Sequence, residues 1–379
     1  MEFSCEKKEL QAGVNTVEKI VATRSTLPII GNILFEAVKS GLKLSANNLE
    51  IGMELNLHAK VEKEGAVLLP AKTLSGLVAK LPEAVVSVKL GENGTVRISY
   101  NQSHFTLNSL PPDEFPSLPK VKEGKTIAVD PEVFAEMIKQ TIFAVSTSED
   151  KYVLTGVLLE IGKSGQAGDT SNIRLVATDG YRLAKSGKKI EVKGDQAASV
   201  IIPSKALVEL AKRLENSDKE TLKVTVANDQ ISFKLGEYYL VSRLIQGQFP
   251  DYKQVIPKKS ATRVVLNNKD FLKAAERAAV IAAGSANVTS FEVKGGKMNI
   301  TANTPDVGSV SELLSAEVKG SEKARASFNV RLITDVLGVI GQEKVVLELG
   351  EGLSPGVIKP EDNEDYLYIV MPIRTQEVA

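Results

Sequence analysis

The sequence predicts an α+β protein built from three tandem copies of one domain, each with two helices laid on a curved, mainly antiparallel sheet. Three observations predict it. Short runs alternating apolar and polar side chains fill most of the chain and are interrupted by six stretches of helical spacing. A turn word recurs three times, as Ser45-Ala46-Asn47-Asn48-Leu49-Glu50, Ala177-Thr178-Asp179-Gly180-Tyr181-Arg182-Leu183-Ala184 and Thr301-Ala302-Asn303-Thr304-Pro305-Asp306. The openings of the second helices, at Pro70, Pro203 and Asn329, lie 133 and then 126 residues apart. A period that long is a whole domain, not a solenoid unit of about 20 to 50 residues.

Each third opens on a strand and a helix. Met1 to Glu6 alternates like a strand, and Leu10, Val14 and Val17 fall at helical spacing within residues 7–21. In the second third, Asp130-Pro131-Glu132 supplies a cap, a proline at the first helical position and an acid in the first turn. Phe134, Met137, Ile138 and Val145 form its apolar face. In the last third, Asn268 precedes a helix over 269–282 with Phe271, Ala275, Ala278 and Ile281 in register. Strands follow, then second helices over 72–81, 204–214 and 330–340. The first two open on near-identical words, Leu69-Pro70-Ala71-Lys72 and Ile202-Pro203-Ser204-Lys205. Further strands close each copy: 86–90 and 96–100, 222–226 and 231–235, 345–349 and 366–373. Two copies end alike, on Glu114-Phe115-Pro116 and Gln248-Phe249-Pro250-Asp251-Tyr252. Polar connectors near 120–125 and 257–262 set the expected domains at 1–123, 124–256 and 257–379.

Composition excludes several classes. With 379 residues, 43% apolar and 25% charged, the chain reads as two to three soluble globular domains. Its 47 basic and 47 acidic side chains cancel, so no global charge points to nucleic acid or an anionic membrane. The single Cys5 excludes an internal disulfide framework, and no signal peptide or membrane-length apolar run is visible. A cytoplasmic protein with no membrane partner is expected, and the glycosylation-like triplets at Asn93, Asn101 and Asn287 are chance matches.

No catalytic constellation emerges. His58 and His104 stand far apart in strand patterns, too few for a zinc site or a Ser-His-Asp machine. Gly162-Lys163-Ser164 resembles the end of a phosphate loop, but Val157 stands where its first glycine belongs, so residues 162–171 read as a hairpin loop. The acidic run at 361–365 lacks the spacing of a calcium loop and reads as a solvated turn. Neither catalysis, cofactor nor metal is expected. The six helical segments carry a surplus of basic side chains, matched by a deficit elsewhere, which fits either solvated helix faces or a helix-lined surface facing phosphates.

Five words spread in order over the chain carry a family resemblance. They are Arg24-Ser25-Thr26-Leu27-Pro28-Ile29-Ile30-Gly31-Asn32, Ala177 through Ala184, Phe249-Pro250-Asp251-Tyr252, Phe328-Asn329-Val330 and Val370-Met371-Pro372-Ile373-Arg374. With the triplicated plan they resemble the bacterial DNA sliding clamps, the processivity (beta) subunits of the replicative DNA polymerase. The resemblance implies the DNA clamp fold and a head-to-tail homodimer closing into a six-domain ring. Twelve helices side by side at about 9 Å give a ring roughly 34 Å across. Removing about 10 to 12 Å for helix thickness leaves roughly 23 Å, enough for a duplex.

The resemblance also implies partners and site residues. Double-stranded DNA would be held topologically and without sequence preference, contacted by Arg24, Lys72, Tyr152 and Lys205 with Lys151 beside them. The acids in Ser148-Glu149-Asp150, before Tyr152, depart from the family's polar loop. Phe105 and Leu107 would meet Val280 and Ile281 across the dimer contact, alongside edge-strand pairing. Replicative and repair DNA polymerases and the clamp loader would dock short peptides in an apolar pocket. Its residues would be Leu154, Thr178, Gly180, Tyr181, Arg182, Leu183, Pro250 and Val255 from the middle of the chain. Asn329, Leu353, Pro355, Val370, Met371, Pro372, Ile373 and Arg374 would complete it. Leu332 stands where the family often has an aromatic and Tyr181 where it often has histidine, both bearing on peptide preference. The competing readings are a triplicated peptide-binding scaffold that does not encircle DNA and a nucleotide-dependent enzyme. Loading on primed circular DNA separates the first, and turnover with nucleotide the second.

Overall fold

Apolar spacing puts a helix after the first strand of each third, and most of the positions it marks are buried. The computed structural model describes residues 1–22, 27–121, 123–162, 172–190, 197–215, 217, 220–321 and 323–374. The first third runs β1 (Glu2–Glu6), α1 (Lys7–Glu18), β2 (Asn32–Val38), β3 (Gly41–Asn47), β4 (Ile51–Leu57) and β5 (Lys60–Lys63). It continues with β6 (Gly65–Pro70), α2 (Ala71–Val78), β7 (Val85–Leu90), β8 (Thr95–Tyr100) and β9 (Ser103–Asn108). The second third runs β10 (Lys125–Val129), α3 (Pro131–Thr141), β11 (Gly156–Ile161), β12 (Ile173–Thr178) and β13 (Arg182–Lys188). After these come β14 (Ala198–Pro203), α4 (Ser204–Leu214), β15 (Leu222–Val226), β16 (Gln230–Leu235) and β17 (Tyr238–Arg243). The last third opens with β18 (Thr262–Asn267), α5 (Asn268–Ala282), β19 (Val288–Lys294), β20 (Lys297–Thr304), β21 (Gly308–Ser315) and β22 (Glu317–Gly320). It closes with β23 (Ala324–Asn329), α6 (Val330–Leu337), β24 (Lys344–Leu349), β25 (Gly356–Pro360) and β26 (Tyr366–Val370).

The described strands pair antiparallel throughout, and two of their four sheets cross the boundaries between thirds. An eight-stranded sheet runs β10-β15-β16-β17-β4-β3-β2-β6, and a nine-stranded sheet runs β14-β11-β12-β13-β26-β25-β24-β18-β22. A five-stranded sheet, β5-β1-β7-β8-β9, and a four-stranded sheet, β21-β20-β19-β23, complete the set. The expectation of one sheet per domain is therefore corrected: β4 pairs with β17 and β13 with β26, each ladder joining neighbouring thirds.

The chain packs into two compact units, Met1–Pro131 with Lys212–Leu244, and Glu132–Ala211 with Ile245–Ala379. Each of the four sheets lies inside one unit. In the first, Leu10, Val14 and Val17 of α1 are buried, and α1 packs on α2. In the second, α5 packs on α6, and Phe271, Phe291 and Phe328 form an aromatic chain with centroids 6.2 and 5.7 Å apart. Removing one such buried ring costs about 3 to 5 kcal/mol.

Asparagine side chains cap the starts of α5 and α6. Asn267 accepts from the Asp270 amide at 3.2 Å, and Asn329 accepts from the Arg331 amide at 3.1 Å. Several helix ends differ from expectation. α3 stops at Thr141, whose hydroxyl turns back to the Met137 carbonyl at 2.8 Å, so Val145 lies beyond the helix. On α5 the buried positions include Ala274 and Ala282, while Ile281 is only half-buried and Val280 is 74% exposed. No helix among the described residues is long and apolar enough to cross a membrane.

Candidate functional site

Two of the three echoed turns are the same object. Asn48 accepts from the amides of Glu50 and Ile51 at 3.0 and 2.8 Å, and Asp179 accepts from those of Tyr181 and Arg182 at 2.8 and 3.0 Å. This side-chain mimicry of a backbone turn is what Asn and Asp do well. Leu49 and Gly180, at φ 76° and 93°, hold the same left-handed place in these turns. The third turn is a correction. Thr304 replaces the acceptor and donates its hydroxyl to the Ile281 carbonyl at 2.6 Å, leaving Asp306 at φ 66° to close the β20–β21 hairpin.

In the second unit the Asp179 turn starts the ladder that joins the middle and last thirds. Arg182 pairs with Val370 and Leu183 with Ile369, and the Met371 amide donates to the Tyr181 carbonyl at 2.9 Å. Thr178 locks the turn, donating to the Arg182 carbonyl at 2.6 Å and accepting from the Gly180 amide at 3.1 Å. Arg182 ties turn to helix: its Nε reaches Asp179 at 3.0 Å and its Nη1 hydrogen-bonds Asp335 on α6. Its guanidinium carbon also lies over the Phe143 ring, 5.4 Å from the centroid. Burial works against the Arg182 charge, but the bond to Asp335 and the surrounding charges outweigh it and raise its pKa. Tyr368 beside it donates to the Leu332 carbonyl at 2.8 Å; burial pushes its phenol well up, against the pull of Arg182.

Under this ladder lies an apolar cluster of Leu158, Val176, Leu183, Ile201, Ile245, Tyr252 and Ile369, with Val153, Phe249, Ile256 and Leu367 packed on it. Tyr252 is anchored by its hydroxyl, which donates to Glu160 at 2.7 Å. After it the chain makes a single 3-10 turn, Tyr252–Val255, capped by Asp251. Several apolar side chains of this unit stay in solvent: Tyr181 at 65%, Val255 at 47%, Leu353 at 45% and Met371 at 43% exposed. Isolated exposed apolar residues are ordinary, but Tyr181 and Met371 adjoin across one ladder end.

All sixteen predicted pocket residues fall in this unit. The β13–β26 ladder and its extension join Tyr181, Arg182 and Leu183 to Val370 and Met371; Gly180 precedes them, and Pro355 adjoins Gly356, which pairs with Val370. The Ile373 amide donates to the Ser327 carbonyl at 2.7 Å, holding the Pro372–Arg374 tail near Asn329. Pro250 accepts from the Tyr252 amide at 2.7 Å, and Leu154 accepts from the Ser146 amide at 2.9 Å.

The predicted DNA contacts are distributed differently. Arg24 lies outside the described residues. Lys72 on α2, Lys205 on α4 and Tyr152 are exposed. Lys151 is instead turned onto the Asp179 turn, donating to the Asp179 carbonyl at 2.9 Å with its ammonium 5.1 Å from the Tyr181 ring. Arg331 was not among the expected contacts, yet it occupies the matching place in the last third. It stands two residues after Asn329, as Lys72 and Lys205 stand two after Pro70 and Pro203, and it too is exposed in a first helical turn. The repeat register carried that signal, hidden by Asn replacing Pro. Of the predicted dimer residues, Phe105 and Leu107 lie on β9, the last strand of its sheet, while Val280 and Ile281 lie on α5. Among the described residues no cluster of three or more His, Cys, Asp or Glu could hold a metal ion. Cys5 is buried, and burial first, then the nearby Glu9 and Glu6, pushes its thiol up to about 12.

Three family models cover the chain: the N-terminal, central and C-terminal domains of the DNA polymerase III beta subunit, matching residues 1–119, 128–251 and 253–374. The chain belongs to the beta sliding clamp family. A beta sliding clamp of Halalkalibacterium halodurans is 33% identical over 99% of this chain and all of the relative, and that of Bacillus subtilis is 30% identical with the same coverage. A crystal structure of the Bacillus subtilis clamp superposes with a TM-score of 0.92 at 30% identity, covering 99% of this chain and 100% of that one. The DNA polymerase III beta subunit of Thermotoga maritima gives 0.90 at 30% identity over the same spans. The fold is therefore three tandem clamp domains of mixed helix and sheet.

Proposed function

We propose that this chain is a non-catalytic processivity factor of the cytoplasm, with clamp domains at 1–123, 124–256 and 257–379. Two chains close head to tail into a ring that encircles duplex DNA and slides on it. The observation that carries this reading is the end-to-end match to beta sliding clamps, 99% of this chain on 100% of the relative. Topological retention needs only weak, sequence-independent phosphate contacts, consistent with a net charge of zero. Arg24, Lys72, Lys205 and Arg331 supply cations and Tyr152 an exposed ring. Lys151 shares its charge between this role and the Asp179 turn.

The docking site would be the apolar surface at the β13–β26 ladder, presented by the exposed Tyr181, Val255, Leu353 and Met371. Apolar walls, an adaptable methionine and a fixed arginine suit short peptides from DNA polymerases and the clamp loader. The test is retention after loading by a matching loader. The ring stays on a nicked circle and is lost when the circle is cut, whereas equal retention on both sinks the topological mechanism. Replacing Lys72, Lys205 and Arg331 together by alanine keeps the difference between circle and line but lowers the log–log salt slope of binding, by about one for each phosphate left without its cation.

A further inference from the structure

A strand at a sheet edge invites pairing, and proteins normally guard it with charge, proline or cover. Most edges here are guarded. β5 carries Lys60 and Lys63, β10 carries Lys125, β22 carries Lys319 and β23 carries Arg325. β6 and β14 end in Pro70 and Pro203 and are bridged by Leu110 and Ile245 of their own chain. Among the described strands the two remaining edges, β9 and β21, contain neither lysine, arginine nor proline. The only titratable side chains on them are His104 and Glu312.

Glu312 is already spoken for. Its carboxylate accepts a two-pronged bond from Arg277 of α5, Nε to Oε1 at 2.7 Å and Nη2 to Oε2 at 2.6 Å. Each group holds the other charged: the bond raises the Arg277 pKa and lowers that of Glu312. The pair lines a surface cavity of about 420 Å³ between α5 and β21, with Asp270, Lys273 and Leu314. On the same surface elements Val280 and Leu313 are 74% and 61% exposed.

We propose that Arg277 neutralises Glu312 so that β21 offers an uncharged edge to β9 of a second copy of this chain. The inference rests on the ring reading above and names the feature that lets its subunit contact form. Glu312 points to the helix-covered face of its sheet, since Arg277 lies on α5. On β9 the inward face is apolar, with Leu107 buried opposite Val96 and Phe105 opposite Ile98. Once β21 and β9 pair, the Glu312 carboxylate comes beside Phe105 and Leu107. β9 offers no cation on that face, because His104 alternates to the other. An unpaired carboxylate there loses water and gains nothing, whereas the two-pronged pair enters the contact nearly neutral. Backbone pairing and apolar contact then hold the subunits, not ion pairs between them.

The test is the dimer Kd by sedimentation for the full chain, its R277M and E312Q forms and the double variant. R277M weakens assembly by about tenfold or more, by leaving a desolvated charge unpaired. E312Q and the double variant stay within about threefold of the parent, because the charge is gone. The parent Kd also shifts less than about threefold between roughly 0.05 and 0.5 M salt. R277M assembling like the parent, or a parent Kd rising steeply with salt, overturns the role of Arg277 while leaving the ring intact. A parent that stays monomeric at micromolar concentration overturns the ring reading itself, and the inference with it.

Discussion

The two ladders that join neighbouring thirds are built from matching parts and finished differently. In the first unit β4 pairs with β17, Gly52 opposite Val241, and the Arg243 amide donates to the Glu50 carbonyl at 2.8 Å. In the second unit β13 pairs with β26, Leu183 opposite Ile369, and the Met371 amide donates to the Tyr181 carbonyl at 2.9 Å. Both are entered from an Asx turn, and both meet a connector beginning Phe-Pro. In the first, that connector lies down along the ladder. Leu118 packs over Gly52 and Val241, the Tyr239 hydroxyl donates to the Pro119 carbonyl at 2.9 Å and accepts from the Val121 amide at 3.1 Å, and Lys120 sits 4.3 Å from the Tyr239 ring. Lys120 also pairs with Glu54 of β4 at 2.8 Å. In the second, Tyr252 anchors the connector and a 3-10 turn follows, leaving Val255 exposed. One junction is covered by its own chain, and the other leaves apolar side chains exposed. Repetition supplied the scaffold, and a handful of connector residues decided which copy stayed open.

The largest effect is expected at Gly52, where the first junction is tightest. A Cβ there would lie 3.0 Å from the Leu118 Cγ and 3.2 Å from the Val241 Cγ1. Gly52→Leu, which installs the residue the open junction has at Leu183, is expected to lift the connector and cost about 1 to 3 kcal/mol by overpacking. Urea denaturation measures the loss, and an unchanged midpoint would contradict the close fit. A finer cut is Tyr239→Phe, which keeps the ring under Lys120 and removes two hydrogen bonds. It should cost about 1 kcal/mol and speed amide exchange at Val121. Exchange unchanged there would mean that the connector is held by packing alone.

Much of this was legible in the sequence because helices and turns are local. Leu10, Val14 and Val17 and two of the three turn words are read within a dozen residues, while α5 is capped by Asn267, one residue before the expected Asn268, which is its first helical residue. The sharing of sheets between thirds was not, since β4 finds β17 nearly two hundred residues away and nothing local encodes which edges meet. Side-chain commitments were hidden for the same reason. Lys151 reads as a free cation until its hydrogen bond to Asp179 is seen, and Ile281 reads as core until alanines on both sides take the buried face. Arg331 was readable in principle, because the repeat register puts it level with Lys72 and Lys205.

The open junction carries the central claim, and calorimetric titration of the chain with a docking peptide from a replicative DNA polymerase tests it most directly. One peptide should bind per chain, and Met371→Ala should weaken it by about 1 kcal/mol or more without lowering stability. Two equivalent sites per chain, or affinity untouched by Met371→Ala, would contradict the division into a sealed junction and an open one.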